Sequence, residues 1–186
     1  MDEEGIQHLR NYVGGCFVEH DGPEWMDVLE PATGAMFARL PLSGSNDVDA
    51  AVEAAREAQP GWAALGVDAR ADWLDRIADS LEASFDEIAE LESRDTGKPI
   101  SLARAVDANR SVANFRFFAG LIREQEQETF EMEDATNYVV NSPVGVGALI
   151  TPWNLPLYLL SWKVAPAIGM GKHSGVQAKR AHPDDS

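Results

Sequence analysis

The residues best placed for chemistry are gathered in one turn. Val144 to Ile150 is a short apolar run with two glycines, the pattern of a strand buried on both faces as in a parallel sheet. It leads into Thr151-Pro152-Trp153-Asn154, and Pro152 must end it, because proline fixes φ and has no N–H to give to a ladder. Pro156 suits the first turn of a helix, where that donor would be unpaired anyway. A polar turn at the carboxyl end of a strand is where open α/β sheets hold their ligands. Arg110 and Asn114, four apart on one face of a helical pattern, form a second candidate. Solvated surface or an internal ion pair is one reading of that pair, and an anion-binding arginine is the other.

Other chemistries fail on residue type or spacing. Cys16 is the single cysteine, so an internal disulfide and a Cys-rich metal site are excluded. In Val13-Gly-Gly-Cys-Phe-Val18 it reads as a small residue in a hairpin strand rather than a nucleophile. His8, His20, His173 and His182 lack ligand spacing, and no metal site is expected. Gly169-Met-Gly-Lys-His173 is not a phosphate loop, because Pro166 stands where the first glycine is needed and His173 where magnesium needs Ser or Thr. Val144-Gly-Val-Gly147 precedes a strand, whereas a dinucleotide fingerprint follows one, and no G-x-S-x-G hydrolase elbow is present.

Composition narrows the partners. The 186 residues are 45% hydrophobic and 25% charged, enough for one ordinary core. Thirty-one Asp plus Glu against 15 Lys plus Arg leave a formal charge of -16, which disfavours nucleic acid and anionic membranes. Such a surface suits high salt, where self-repulsion is screened, as well as an ordinary habitat. Apolar runs are broken well before the roughly 20 residues needed to cross a bilayer, and Met1-Asp-Glu-Glu4 has the wrong sign for a signal peptide. A cytoplasmic location is expected.

The elements that must position the turn precede it. Asn11 to Leu40 alternates apolar pieces with turn signals and predicts two small hairpins. Ser45-Asn46-Asp47 should open a helix with Val48, Ala51, Val52, Ala55 and Ala58 inside, ended by Pro60-Gly61. Asp68 should cap a second, with Trp73, Leu74, Ile77 and Leu81 inside. Ser84 and Glu87 have capping-box spacing for a third, carrying Phe85, Ile88 and Leu91 and closing at Thr96-Gly97. Ser101 to about Ile122 predicts a longer helix with Leu102, Val106, Val112, Phe117 and Phe118 inside. Glu124 to Asp134 reads as an acidic linker, and Asn137 to Ser142 as a strand. The fold class is α/β with its strand-helix alternation incomplete, since that alternation begins only near the end.

Pro143-Val-Gly-Val146, Thr151-Pro-Trp-Asn154 and Trp162-Lys-Val-Ala-Pro-Ala167 together resemble the NAD(P)-dependent aldehyde dehydrogenase superfamily, as do Pro31-Ala-Thr-Gly34, the helix from Ala51 to Ala58 with Trp62 beyond it, and Asp95-Thr-Gly-Lys-Pro99. The resemblance runs from about Asn11 to Gly171. Arg110-Ser-Val112, Asn114-Phe-Arg-Phe-Phe-Ala119 and Pro152-Trp-Asn-Leu-Pro-Leu-Tyr-Leu-Leu160 are similar to the 2-aminomuconate and 2-hydroxymuconate semialdehyde dehydrogenase branch. It implies N-terminal hairpins and helices plus the first strand-turn-helix of a Rossmann-like domain. Asn154 would be the amide that donates to the oxyanion, a preorganised donor worth several kcal/mol. Ile150, Thr151, Pro152 and Trp153 would lie along NAD or NADP. Leu155, Tyr158, Leu159 and Trp162 would line an aldehyde tunnel; on residue types alone that face reads as core. Arg110 would hold a substrate carboxylate.

The resemblance covers about two-fifths of a family member, and the family's cysteine nucleophile and glutamate base lie in its later part. The implied organisation is a disordered N-terminus over 1–10, a hairpin and helical part over 11–136, an oligomerisation-type strand over 137–144, the first strand-turn-helix over 145–171, and a tail unlike the family over 172–186. One permitted back-translation from Gly171, read one base later, restores family-like Gly-Asn-Thr, so a frameshift is inferred. Gln177 then occupies the place of the family's ribose-binding lysine, and no such residue is carried over. The expected function is the N-terminal fragment of an aldehyde dehydrogenase, inactive alone, with an aldehyde substrate and a homo-oligomeric family. The alternatives are a non-catalytic module for oligomerisation or weak nucleotide binding, and an unstable fragment.

Overall fold

The computed structural model describes residues 5–20, 22–125, 128–139, 142–171 and 173–178, the last stretch through its backbone. Two hairpins form where the turn signals fall: β2 (Asn11–Val13) pairs with β3 (Cys16–Val18), and β4 (Trp25–Leu29) with β5 (Met36–Pro41). The expected disordered N-terminus is corrected in part. Ile6 is buried, and β1 (Gln7–His8) pairs in parallel with β5, giving the sheet order β1-β5-β4.

Helices follow. α1 (Ser45–Ala63) starts after Gly44, whose N–H is taken by Asp47 Oδ2 at 2.8 Å. It does not stop at Pro60-Gly61. Proline removes one N–H bond, and Trp62 Nε1 donates to the Ile168 carbonyl at 2.8 Å, holding the last turn in place. Val48 and Ala58 are exposed, leaving Ala55 as the buried residue of α1. α2 (Val67–Ala83) has Gly66 rather than Asp68 at its cap position, and Trp73 lies outside, stacked under the Arg76 guanidinium. At Ser84 the chain passes almost directly from α2 into α3 (Phe85–Thr96). The Ser84 backbone is not extended there, and the capping box does not form. Gly97, at φ 73°, ends α3 in the left-handed region as expected.

The long fourth helix has three parts: α4 (Ile100–Leu102), a π-helical segment (Ala103–Ala108) and α5 (Asn109–Arg123). The wider turn shifts the register, so Leu102 and Phe117 are exposed while Asp107, Ser111 and Asn114 are buried. The core is formed by Ala71, Leu74 and Ala78 of α2, Phe115, Phe118, Ala119 and Ile122 of α5, and Ala165 beyond them.

The acidic linker contains β6 (Thr129–Glu131), which pairs with β7 (Thr136–Tyr138). The expected strand from Asn137 to Ser142 is therefore shorter and shifted by a residue, and Val140 and Asn141 lie outside the described residues. β8 (Val146–Thr151) pairs in parallel with β9 (His173–Ala178), and α6 (Pro156–Gly169) connects them, a β-α-β unit. Burial of β8 on both faces is not found: Val144 and Ile150 are exposed, because helices α1 and α6 cover only part of a sheet two strands wide. No helix among the described residues is long and apolar enough to cross a membrane.

Candidate functional site

β8 ends at Thr151 and α6 begins at Pro156, so both prolines act as their chemistry requires. Thr151 is 2% exposed and seats the turn in the protein, whereas Ile150 and Trp153 are 54% and 63% exposed. Asn154 is exposed, and among the described residues its side-chain amide has no hydrogen-bond partner. The turn thus offers a free amide donor beside an apolar strip, on a buried footing.

Helix α6 is tied along its whole length. Glu92 Oε1 accepts the Leu157 N–H at 3.1 Å in the first turn. Midway, Asn114 Nδ2 donates to Ser161 Oγ at 2.7 Å, and Ser161 Oγ donates to the Tyr158 carbonyl at 2.6 Å. At the far end, where helix carbonyls lack partners, Trp62 holds the Ile168 carbonyl and Arg70 Nε donates to the Gly169 carbonyl at 2.9 Å. Lys163 Nζ donates to the Ile150 carbonyl and links the helix back to β8.

These links also order the two candidate helices. Asn114 meets Ser161, Phe118 lies edge-on to Trp162 at 5.8 Å between centroids, and Ile122 lies beside Gly169. The positions climb together, so α5 and α6 run in the same sense. Arg110, one turn before Asn114, and Leu157, one turn before Ser161, therefore lie at the same end, the end that carries Asn154. Arg110 is exposed and makes no ion pair among the described residues, which removes the internal-ion-pair reading. Phe117, seven residues on, projects from the same side of α5, and it and Leu121 are exposed. Leu155, Tyr158 and Leu159 are half-buried and Trp162 is 43% exposed, a flank of α6 beside the buried stripe Ser161, Ala165 and Gly169. That flank is not core.

Two buried acids and the part-buried lysine that pairs with one of them were missed in the sequence. Lys98 Nζ lies 2.8 and 2.7 Å from the two oxygens of Asp107, which is fully buried. Glu92, 9% exposed, approaches the same pair, and its Oε2 has no hydrogen bond. Burial pushes the Glu92 carboxyl above the usual glutamate range; the Leu157 N–H pulls it down, the Asp107 charge pushes it up, and Lys98 and Asp95 act in opposite directions. A signal existed: Ala89 and Glu92, and Ala103, Asp107 and Ser111, recur at helical spacing, so acids stand in otherwise small and apolar stripes.

The end of β8 and the turn after it fit a nucleotide cofactor on chemistry: Ile150 and Trp153 expose apolar surface at the strand's carboxyl end, with the buried Thr151 between them.

Residues 17–178 match the aldehyde dehydrogenase family. The 2-aminomuconic semialdehyde dehydrogenase of Bos taurus is 47% identical over 169 residues, covering 90% of this chain and 34% of the relative. The 2-hydroxymuconic semialdehyde dehydrogenase of Pseudomonas sp. (strain CF600) is 41% identical over 184 residues, covering 96% of this chain and 38% of the relative. The crystal structure of PnpE in complex with nicotinamide adenine dinucleotide superposes with a TM-score of 0.86 at 38% identity, over 91% of this chain and 35% of that one. The chain thus spans about a third of the length of the relatives it matches, and the family match runs past Gly171 into β9. With its strand-turn-helix, its preceding hairpins and helices and the match over residues 17–178, the chain belongs to the aldehyde dehydrogenase family.

Proposed function

We propose that this chain is the N-terminal portion of a semialdehyde dehydrogenase and supplies the oxyanion donor, part of the cofactor surface and the carboxylate anchor of its site. Asn154 donates its amide to the oxygen that gains charge when a thiolate attacks an aldehyde, and its freedom from other partners leaves that donor available. Ile150, Thr151, Pro152 and Trp153 form the surface along which NAD or NADP lies; the cofactor, when bound, accepts the hydride. Leu155, Tyr158, Leu159 and Trp162 guide the aldehyde along the flank of α6. Arg110 holds a carboxylate at the other end of the substrate. The observation that carries this reading is the placing of one unpaired guanidinium and one unpaired amide at the same end of two parallel helices joined by the Asn114–Ser161 bond.

The chain alone does not turn over. Its one thiol, Cys16, is exposed on the β2–β3 hairpin, a different sheet from β8. NADH absorbance with a muconate-type semialdehyde tests this, and turnover by the chain alone would refute it. The donor role is tested in a chimera in which residues 11–171 replace the matching segment of the strain CF600 relative. There Asn154→Ala lowers kcat by about 10²–10³, and an unchanged kcat sinks the assignment. The gene junction at codon 171 is part of the same proposal: under one permitted back-translation a one-base shift gives family-like Gly-Asn-Thr, and independent reads in frame through codon 186 remove it.

The second reading, a non-catalytic module that assembles with a partner, is favoured by one observation: Phe130, Met132 and Tyr138 are all exposed on the β6–β7 hairpin. A concentration-dependent mass in sedimentation that survives Asn154→Ala and falls with Tyr138→Asp supports it.

A further inference from the structure

Helix α6 cannot cap itself. Pro156 has no N–H, Leu155 at the cap position has no acceptor in its side chain, and the first free amide belongs to Leu157. The acceptor comes from 65 residues earlier, from Glu92 on α3, at 3.1 Å. Glu92 is itself held: its carbonyl accepts the Thr96 hydroxyl at 2.5 Å, and its side chain is buried. Its second carboxyl oxygen is the one buried side-chain polar atom among the described residues without a hydrogen bond.

We propose that Glu92 is a positioning residue for Asn154: its carboxyl group fixes the first turn of α6, and through it the turn that presents the amide. This rests on the reading of Asn154 as the oxyanion donor. Leu157 is three residues from Asn154, and the segment between them has a proline and no other cap. Loss of the Glu92 acceptor frees the N-terminal turn while the Asn114, Trp62 and Arg70 ties keep the rest of α6 in place.

The groups that face Glu92 set how readily it holds a proton. It faces the Leu157 amide from α6, Asp107 from the π-helical segment, Lys98 from the segment after α3, and Asp95 from its own helix. Lys98 is committed to both oxygens of Asp107, so the nearby ammonium is already paired. The carboxyl group accepts the Leu157 N–H through Oε1. An amide of the same shape does so too, and Glu92→Gln is the conservative rescue.

The test uses the ¹⁵N-labelled chain. In Glu92→Ala the Leu157 amide exchanges with solvent about 10–100-fold faster, the Asn154 side-chain amide signals move toward free-asparagine values, and Ala119 in the α5 core keeps its protection. In Glu92→Gln the Leu157 exchange stays within about threefold of the parent. The Leu157 ¹⁵N shift titrates in the parent and is flat in Glu92→Gln, a signature that general loss of structure does not give and that remains readable if Glu92→Ala fails to fold. A Leu157 shift that does not titrate, or unchanged Leu157 exchange in Glu92→Ala, overturns the proposal. In the chimera, Glu92→Ala lowers kcat with KM unchanged and Glu92→Gln restores it; equal kcat values overturn the positioning role. If instead Asn154→Ala leaves kcat unchanged, the donor reading fails on its own, and the amide measurements still decide what Glu92 holds.

Discussion

Replacing Lys98 by methionine removes the partner of a fully buried carboxylate. Lys98 is 11% exposed and Asp107 0%, and the ammonium lies 2.7–2.8 Å from both carboxylate oxygens. Methionine keeps the length and the apolar stem but leaves Asp107 charged, buried and beside Glu92. Breaking a buried pair from one side costs about 3–5 kcal/mol, against about 0–1 kcal/mol for an exposed pair. With a urea slope of about 2 kcal/mol/M, the unfolding midpoint falls by about 1.5–2.5 M. Urea titration followed by circular dichroism at neutral pH measures this directly. The double variant Lys98→Met with Asp107→Leu recovers most of the loss, because it removes the desolvated charge as well as its partner. A single variant within about 1 kcal/mol of the parent refutes the reasoning, since it would mean that water reaches the pair.

Glu92 gives a pH dependence of determined sign. Its folded-state pKa lies above the ordinary 4.5, so the folded chain holds the proton more tightly and the group's stabilisation is complete below 4.5 and lost as pH rises through the folded value. The urea midpoint of Glu92→Gln therefore gains on the parent as pH is raised from 4 toward neutrality; a constant difference contradicts the sign. Gly97→Ala destabilises by about 1–2 kcal/mol from the left-handed backbone alone, and by more because the added Cβ would lie 2.9 Å from Pro31 Cβ; differential scanning calorimetry reads the fall in Tm. Leu74→Ala, at a fully buried site against α5 and α6, costs about 2–5 kcal/mol in the same urea assay. Asn114→Ala removes the α5–α6 bond and costs about 1–2 kcal/mol, with faster amide exchange in the middle of α6 than at its ends.

The turn was legible because proline and strand chemistry act locally. Pro152 and Pro156 bracket Asn154 whatever surrounds them, and the helix boundaries at Ser45 and Gly97 follow from side chains within a turn of the boundary. Faces were harder. Leu91 is half exposed where Glu92 is buried, and Val48 and Trp73 point outward, because which stripe is covered depends on neighbours far along the chain. The π-helical segment adds a local cause: it advances the register before α5, so the apolar residues Leu102 and Phe117 are outside and Asp107 and Ser111 inside. Caps at Asp68 and Ser84 failed for two different backbone reasons. A cap needs an extended backbone: between α1 and α2 Gly66 has it and Asp68 is already inside the first turn, whereas the tight passage from α2 to α3 leaves Ser84 without it.

The ties on α6 explain why several helices precede one short β-α-β unit. Trp62 and Arg70 come from α1 and α2 and meet the last turn of α6, Glu92 from α3 meets its first turn, and Asn114 from α5 meets its middle. A helix fixed at one point can still pivot or slide by a turn; fixed at both ends and the middle, it can do neither. The Glu92 carboxyl group accepts an N–H at the amino end and the Arg70 guanidinium donates to a carbonyl at the carboxyl end, where its positive charge agrees with the helix dipole. Glu92 reaches α6 on the side toward Lys98 and Asp107, and Asn114 reaches it beside Arg110, so the charged core under α3 and the exposed face of α5 are joined through one rigid element. Asn154 is then placed by residues that never touch it. In the proposed reading Asn154 is an oxyanion donor, which must be aimed before charge develops, and the four helices that tie α6 would set that aim although the turn itself gives no hint of them.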